Sequence, residues 1–326
     1  MTLKAPPLPP GGTIGVPAPA SPYHNRSEVL RGIEWWERKG YSVKLGAGIY
    51  DREGWVAGSP EQRASDLMTM FEDDEVDVVQ CLQGGYGAAQ TILHLDFDAI
   101  GAHPKPFVGF SDITALHTAI QHHTEMVTFY GPGLAGVDDA DREKAERDFV
   151  QERLLRALTF TDALGQVPGR PDDSYVRPLG AGRVTGTLAG GCLWLLAQTI
   201  GTPWQVDLSG KIFFFEDVHS PAWYIDGTLV QMSQAGMLDG VVGVVVGELV
   251  DCDWKESSAD FPQMLSVEDV LERNLEPLGV PALYGLPIGH GKYMSTIPLG
   301  VDVTLDADAR TLTVEEAALA RPDAGA

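Results

Sequence analysis

Up to Tyr130 the chain repeats one pattern: a short apolar run, a loop, then a stretch with apolar positions three and four apart. Thr13-Ile14-Gly15-Val16-Pro17 reads as a strand, and Val29, Ile33 and Trp36 give Glu28 to Lys39 helical spacing. Tyr41 to Leu45 is the next strand. Ser59-Pro60-Glu61 then opens a helix, with serine as N-cap, proline at the first helical position and an acid in the first turn. That helix is expected to run to about Phe71. Val76 to Leu82 is a third strand, ending in Gln83-Gly84-Gly85-Tyr86-Gly87, and a helix is expected from Ala88 to Leu93. Phe107 to Phe110 and Met126 to Tyr130 are further strands, with a helix from Ile113 to Gln121 between them. Such alternation predicts a mostly parallel sheet flanked by helices, with a site at the carboxyl ends of its strands.

After Gly131-Pro132-Gly133 the pattern changes. Asp138 to Leu158 is charged, with Phe149, Leu154, Leu155 and Leu158 at helical spacing, and Pro168 to Asp173 is a polar link. Gly182 to Leu188 alternates like a strand, Ala189-Gly190-Gly191 reads as a turn, and Cys192 to Ile200 as an apolar helix. Lys211 to Phe215 is a buried strand ending on Glu216-Asp217, followed by a helix from about Pro221 to Ala235. Val241 to Val246 is another strand, Val267 to Leu275 another helix, and Pro298 to Glu315 a hairpin turning at Asp306 to Ala309. The expected fold class is therefore α/β. An N-terminal domain over 1–135 has a Rossmann- or flavodoxin-like, mostly parallel sheet. A linker with a helix spans 136–176, and a mixed, β-rich α/β domain spans 177–326.

A length of 326 residues suits two cores. No run approaches the ~18 apolar residues of a membrane span, and the N-terminus lacks the apolar stretch of a secretory signal, so an intracellular location is expected. Cys81, Cys192 and Cys252 are too few and too far apart for a disulfide framework or a Cys-x-x-Cys site, so free thiols are expected. No cofactor is expected. A formal net charge of -23 argues against binding nucleic-acid polymers or anionic membranes. An anionic substrate needs a local positive patch against that field.

Candidate chemistry gathers where apolar strands end. In Pro106-Phe107-Val108-Gly109-Phe110-Ser111-Asp112, a buried run stops on a serine at the start of a helix. This places the hydroxyl near unpaired backbone N–H groups, although a serine there also serves as an ordinary cap. Ile113 stands where α/β-hydrolases carry the last glycine of Gly-x-Ser-x-Gly, so the turn is a different elbow. A nucleophilic serine needs a base, and the base needs a carboxylate to hold its tautomer. Ser111, Glu216 and His290 supply one of each. His219 rivals His290 as the base, but Gly289-His290-Gly291 is a tight turn suited to presenting a side chain. The N–H groups of Gly85 and Asp112 are candidate oxyanion donors. His117, His122 and His123 lack the spacing of a zinc site.

These turns together resemble the LD-carboxypeptidase family of serine peptidases, the S66 family, which includes the microcin C immunity proteins. The likeness runs from Ala18-Pro19-Ala20-Ser21 through Gly84-Gly85-Tyr86-Gly87, the segment from Lys105 to His117, Gly201-Thr202-Pro203-Trp204, Phe215-Glu216-Asp217 and Gly289-His290-Gly291 to Ile297-Pro298-Leu299-Gly300. The resemblance implies a catalytic triad of Ser111, Glu216 and His290 drawn from two domains, an oxyanion hole at Gly85 and Asp112, no metal, and a cytoplasmic homodimer acting on a small peptide. The carboxypeptidase branch releases the terminal D-alanine of murein tetrapeptides in peptidoglycan recycling. The immunity branch cleaves an amide joining a peptide to a modified nucleotide, a reaction for which Trp223 or Trp254 are the stacking candidates. A small-ligand binding protein on the same scaffold is the alternative outside enzymes. Tyr86 and Lys292 are candidate substrate contacts. Gln83 and Gln90 stand where many carboxypeptidase members carry arginine, and Cys192 where asparagine is frequent, so substrate identity is the open question.

Overall fold

Local signals set most element boundaries. Asn25 caps the first helix by accepting from the N–H groups of Ser27 and Glu28. Ser59 and Gln62 form a reciprocal capping box ahead of Pro60. The computed structural model describes residues 2–23, 25–172, 175–253 and 265–321. The first elements along the chain are β1 (Thr13–Val16), α1 (Arg26–Arg38), β2 (Ser42–Leu45), α2 (Pro60–Glu72), β3 (Val78–Gln80) and α3 (Phe97–Ala102). They continue with β4 (Phe107–Gly109), α4 (Thr114–Thr124), β5 (Thr128–Tyr130), α5 (Leu134–Val137) and α6 (Lys144–Thr159). Next come β6 (Ala163–Gln166), β7 (Arg177–Gly180), β8 (Arg183–Cys192), α7 (Leu193–Gln198), β9 (Ile212–Val218), α8 (Ala222–Gln234) and β10 (Gly243–Val250). The chain closes with α9 (Val267–Leu275), β11 (Ala282–Tyr284), β12 (Ile297–Leu299), β13 (Asp302–Asp306) and β14 (Thr311–Ala317).

The protein is mixed α/β with two sheets. In the first, the described strands run in the order β12-β5-β4-β3-β1-β2. All pairs are parallel except β12 against β5. In the second the order is β6-β14-β13-β8-β9-β10-β11-β7. There β8 to β11 are parallel, while β7 runs antiparallel to β11 and β13 antiparallel to β8 and β14. Of the described residues, one compact unit takes those between Met1 and Leu164, Tyr293 to Gly300, and those from Glu316 on; the other takes Gly165 to Lys292 and Val301 to Glu315. The first unit buries Trp36, Phe71, Phe107, Leu116 and Phe129. The second packs Leu193, Phe213, Phe215, Ile225, Leu229 and Leu271 into one cluster. Among the described residues no helix is long and apolar enough to cross a membrane.

Several local expectations change, and one is that Glu216 and Asp217 lie inside β9 and not beyond its end. Ala88–His94 is a 3-10 rather than an α-helix, starting from left-handed Gly87 with no side-chain cap. Ala189-Gly190-Gly191 is not a turn but the end of β8, because β9 runs so close that a Cβ at Gly190 would overlap the Phe214 carbonyl. Ile297–Leu299 leaves the hairpin region to pair with β5 in the first sheet.

Candidate active site

In the first unit, β4 ends at Gly109 and a short 3-10 turn, Ser111–Ile113, leads into α4. Ser111 has φ of 60°, left-handed backbone that side-chain-bearing residues rarely hold. Its N–H donates to the Tyr130 hydroxyl at 3.1 Å, which fixes the turn from the end of β5. Strain of this kind, on the order of 1–3 kcal/mol, persists where surrounding contacts over-determine it. The serine is thereby presented on a sharp strand-to-helix elbow.

The glycine turn after β3 packs directly on this elbow. The Cβ position of Gly84 lies 2.9 Å from Ser111 Cβ and 3.2 Å from Asp112 N. Asp112 itself is buried, and its Oδ2 accepts from Ala88 N at 2.7 Å, which ties the serine elbow to the glycine turn. Burial pushes the Asp112 carboxyl up, against the opposing pull of that hydrogen bond and of Arg63. Arg63, only 1% exposed, holds the other side of the turn. It donates to the carbonyls of Pro19 (2.6 Å), Gly87 (2.7 Å) and Gly58 (3.0 Å) and to Gln90 Oε1 (2.6 Å). The two backbone positions expected to hold an oxyanion, Gly85 and Asp112, are thus on loops clamped by a buried carboxyl and a buried guanidinium.

In the second unit, β9 carries Glu216 and Asp217, whose side chains alternate to opposite faces. Glu216 is fully buried and its Oε2 lies 2.7 Å from His290 Nδ1. The same oxygen accepts the His290 backbone N–H at 3.2 Å. An ionised carboxylate only accepts, so Nδ1 carries the proton and Nε2 is the basic nitrogen. A Cβ at Gly289, where φ is 116°, would overlap Glu216 Oε2, so the carboxylate reaches the histidine only past a bare backbone. Asp217 is engaged elsewhere. It accepts from Val218 N (2.8 Å), Ser220 Oγ (2.9 Å) and Trp194 N (3.1 Å), and burial pushes its carboxyl up.

The remaining expected residues divide clearly. His219 pairs with Asp251 Oδ2 at 3.5 Å, on a side chain 72% exposed, while Glu216 bonds to His290. His117 is fully buried under the elbow, its Nε2–H donating to Gly109 O at 2.9 Å. Tyr86 is half exposed on a cavity wall, and Lys292 is exposed. Gln83 donates to the carbonyls of Pro22 and Ser21. Cys192 sits beside Glu216 in register, and burial, followed by the Glu216 and Asp217 charges, drives its thiol up. Trp223 is exposed on α8, and Trp254 lies outside the described residues. Among the described residues no group of three or more His, Cys, Asp or Glu is arranged to hold a metal. Sequence reasoning missed Arg63, although the signal was there: it falls on the apolar stripe Ala64, Leu67, Met70, Phe71 of α2.

Comparison with known proteins matches the LD-carboxypeptidase N-terminal domain over residues 14–131 and the LD-carboxypeptidase C-terminal domain over residues 185–305. The murein tetrapeptide carboxypeptidase of Pseudomonas aeruginosa is 30% identical over 306 residues, covering 91% of this chain and 94% of that one. A solved muramoyltetrapeptide carboxypeptidase from Oxalobacter formigenes is 26% identical with a TM-score of 0.80, covering 95% of this chain and all of the other. The microcin C7 self-immunity protein MccF of Escherichia coli is 27% identical over 340 residues, 96% of each chain. A solved structure of MccF in complex with aspartyl sulfamoyl adenosine gives a TM-score of 0.85 at 25% identity, covering 98% of this chain and 100% of that one.

Proposed function

The chain belongs to the LD-carboxypeptidase family of serine peptidases, and from that membership we propose that it hydrolyses the L,D-peptide bond before the C-terminal D-alanine of a murein tetrapeptide, in peptidoglycan recycling. Ser111 Oγ attacks the scissile carbonyl as His290 Nε2 takes its proton, and the N–H groups of Gly85 and Asp112 receive the oxyanion. His290 then passes the proton to the departing amine of D-alanine, and water, deprotonated by the same nitrogen, releases the acyl group from Ser111. Glu216 holds the imidazole in the required tautomer and stabilises its charged form. The observation that carries this reading is the 2.7 Å contact between a fully buried carboxylate and His290 Nδ1. A cytoplasmic location and a homodimer belong to the same reading through the family resemblance; fractionation and sedimentation velocity test them.

The decisive variant is Ser111→Ala. Turnover of the tetrapeptide is expected to fall by at least about 10³-fold with peptide affinity kept within a few-fold, and a serine-directed covalent probe should label the unmodified chain but not the variant. Activity surviving within tenfold removes Ser111 from the mechanism. A second reading keeps the triad and changes the substrate to a peptidyl-nucleotide amide. The MccF complex with aspartyl sulfamoyl adenosine and the exposed indole of Trp223 favour it. Offering both substrates and identifying the product, D-alanine or nucleotide, separates the two.

A further inference from the structure

The first unit holds a cavity of about 730 Å³ to which the triad assigns no role. Its volume is that of a small-ligand site. Its lining is bonded to the glycine turn that packs on the serine elbow. Ser21 Oγ, on its lining, donates to Trp55 O at 2.9 Å and accepts from Tyr86 N at 3.0 Å, while Ser21 N donates to Gly84 O at 3.3 Å. Gly84 in turn packs against Ser111 Cβ. Two rings on this wall face water, Trp55 at 81% exposure and Tyr86 at 50%. Large apolar rings left exposed around a concavity mark a contact surface.

Among the described residues of the lining, the cation is Arg52. Its guanidinium lies 4.4 Å over the Tyr23 ring and one N–H donates to Tyr23 O at 2.7 Å. Those contacts set the plane of the fork and use one of its five donors. Among the described residues no carboxylate pairs with Arg52, in a chain of 46 acidic and 23 basic residues. A guanidinium fork matches a carboxylate. Glu53, its neighbour on the same lining, opposes a second negative charge and so disfavours a phosphate dianion.

We propose that Arg52 anchors the terminal carboxylate of the peptide substrate, with Trp55 and Tyr86 bracketing the hydrocarbon of the residue that carries it. The assignment rests on the carboxypeptidase reading, in which the departing residue bears that carboxylate. The test is calorimetric titration of the Ser111→Ala protein with a murein tetrapeptide and with its C-terminal amide. The acid is expected to bind at least about tenfold tighter than the amide. Arg52→Met, or Arg52→Gln as a second variant at this exposed position, brings the acid down to the amide's affinity. Equal binding of acid and amide, unchanged acid affinity in both variants, or no binding of the tetrapeptide overturns the anchor. These constants need no turnover, so failure of the unmodified enzyme to release D-alanine sinks the carboxypeptidase reading separately.

Discussion

His117, in α4, is buried beneath the turn that carries Ser111, and the histidine, not the serine, gives this corner a pH signature. The ring is enclosed by Phe107 and Tyr130, and its Nε2–H is spent on Gly109 O. Burial lowers its pKa from 6.5 to about 4. Between those values the unfolded chain binds the proton and the folded chain does not, so stability falls as pH drops from about 6.5 to 4. The full effect is about 3 kcal/mol. Asp112 and Asp217 act in the opposite sense, because burial raises their carboxyls and the folded chain takes those protons first. A His117→Gln variant isolates the histidine. In urea unfolding, the advantage of the unmodified chain over the variant should shrink by about 3 kcal/mol from pH 7 to pH 4; a pH-independent difference refutes the assignment.

At the scale of elements, the loop between β11 and β12 brings His290 to β9. It approaches β10 closely enough that Glu248 N bonds to Ile288 O at 3.0 Å, and it passes Glu216 at a position with no side chain. Gly289→Ala places a methyl group on the carboxylate and imposes left-handed strain. It should cost about 1–3 kcal/mol of stability and, by displacing His290 on the order of 1 Å, about 100-fold in kcat/KM. Full activity in this variant would show that the Glu216 contact is not required. The α2 helix works differently. Its local signals, Ser59, Pro60 and Gln62, set where it starts, while Arg63 in its first turn reaches out of the helix to hold three other segments.

For the molecule as a whole, the chain passes between the two units four times, after Leu164, Lys292, Gly300 and Glu315. The first unit is therefore incomplete in any N-terminal piece. Strand β12 covers the β5 edge through the register Ile297 with Tyr130, Pro298 with Phe129 and Leu299 with Thr128. The C-terminal segment adds the Ala320 N to Ala5 O bond and the Lys4–Glu316 ion pair. A fragment of residues 1–164 leaves the apolar Phe129 edge unpaired, a template for aggregation. It is expected to elute as aggregate or to lack cooperative unfolding by circular dichroism. A monomeric fragment with a sharp transition would show that β12 is dispensable.

The sequence by itself determined the elements whose causes lie within a few residues: the capped start of α2, the span of α9, the β13–β14 hairpin and a serine at the junction of a strand and a helix. It also singled out Glu216 and His290, although Glu216 lies inside β9 and not at its end. Only the tertiary structure decided that Glu216 meets His290 across 74 positions, while His219 pairs with Asp251. It alone decided that Arg63 is buried, that Asp112 ties two loops through its side chain, and that Ile297–Leu299 joins the first sheet. The division has a physical cause. Caps, turns and periodicity act through contacts between near neighbours, whereas strand order and the approach of distant loops depend on which apolar faces pack together, and no local stretch of sequence carries that choice.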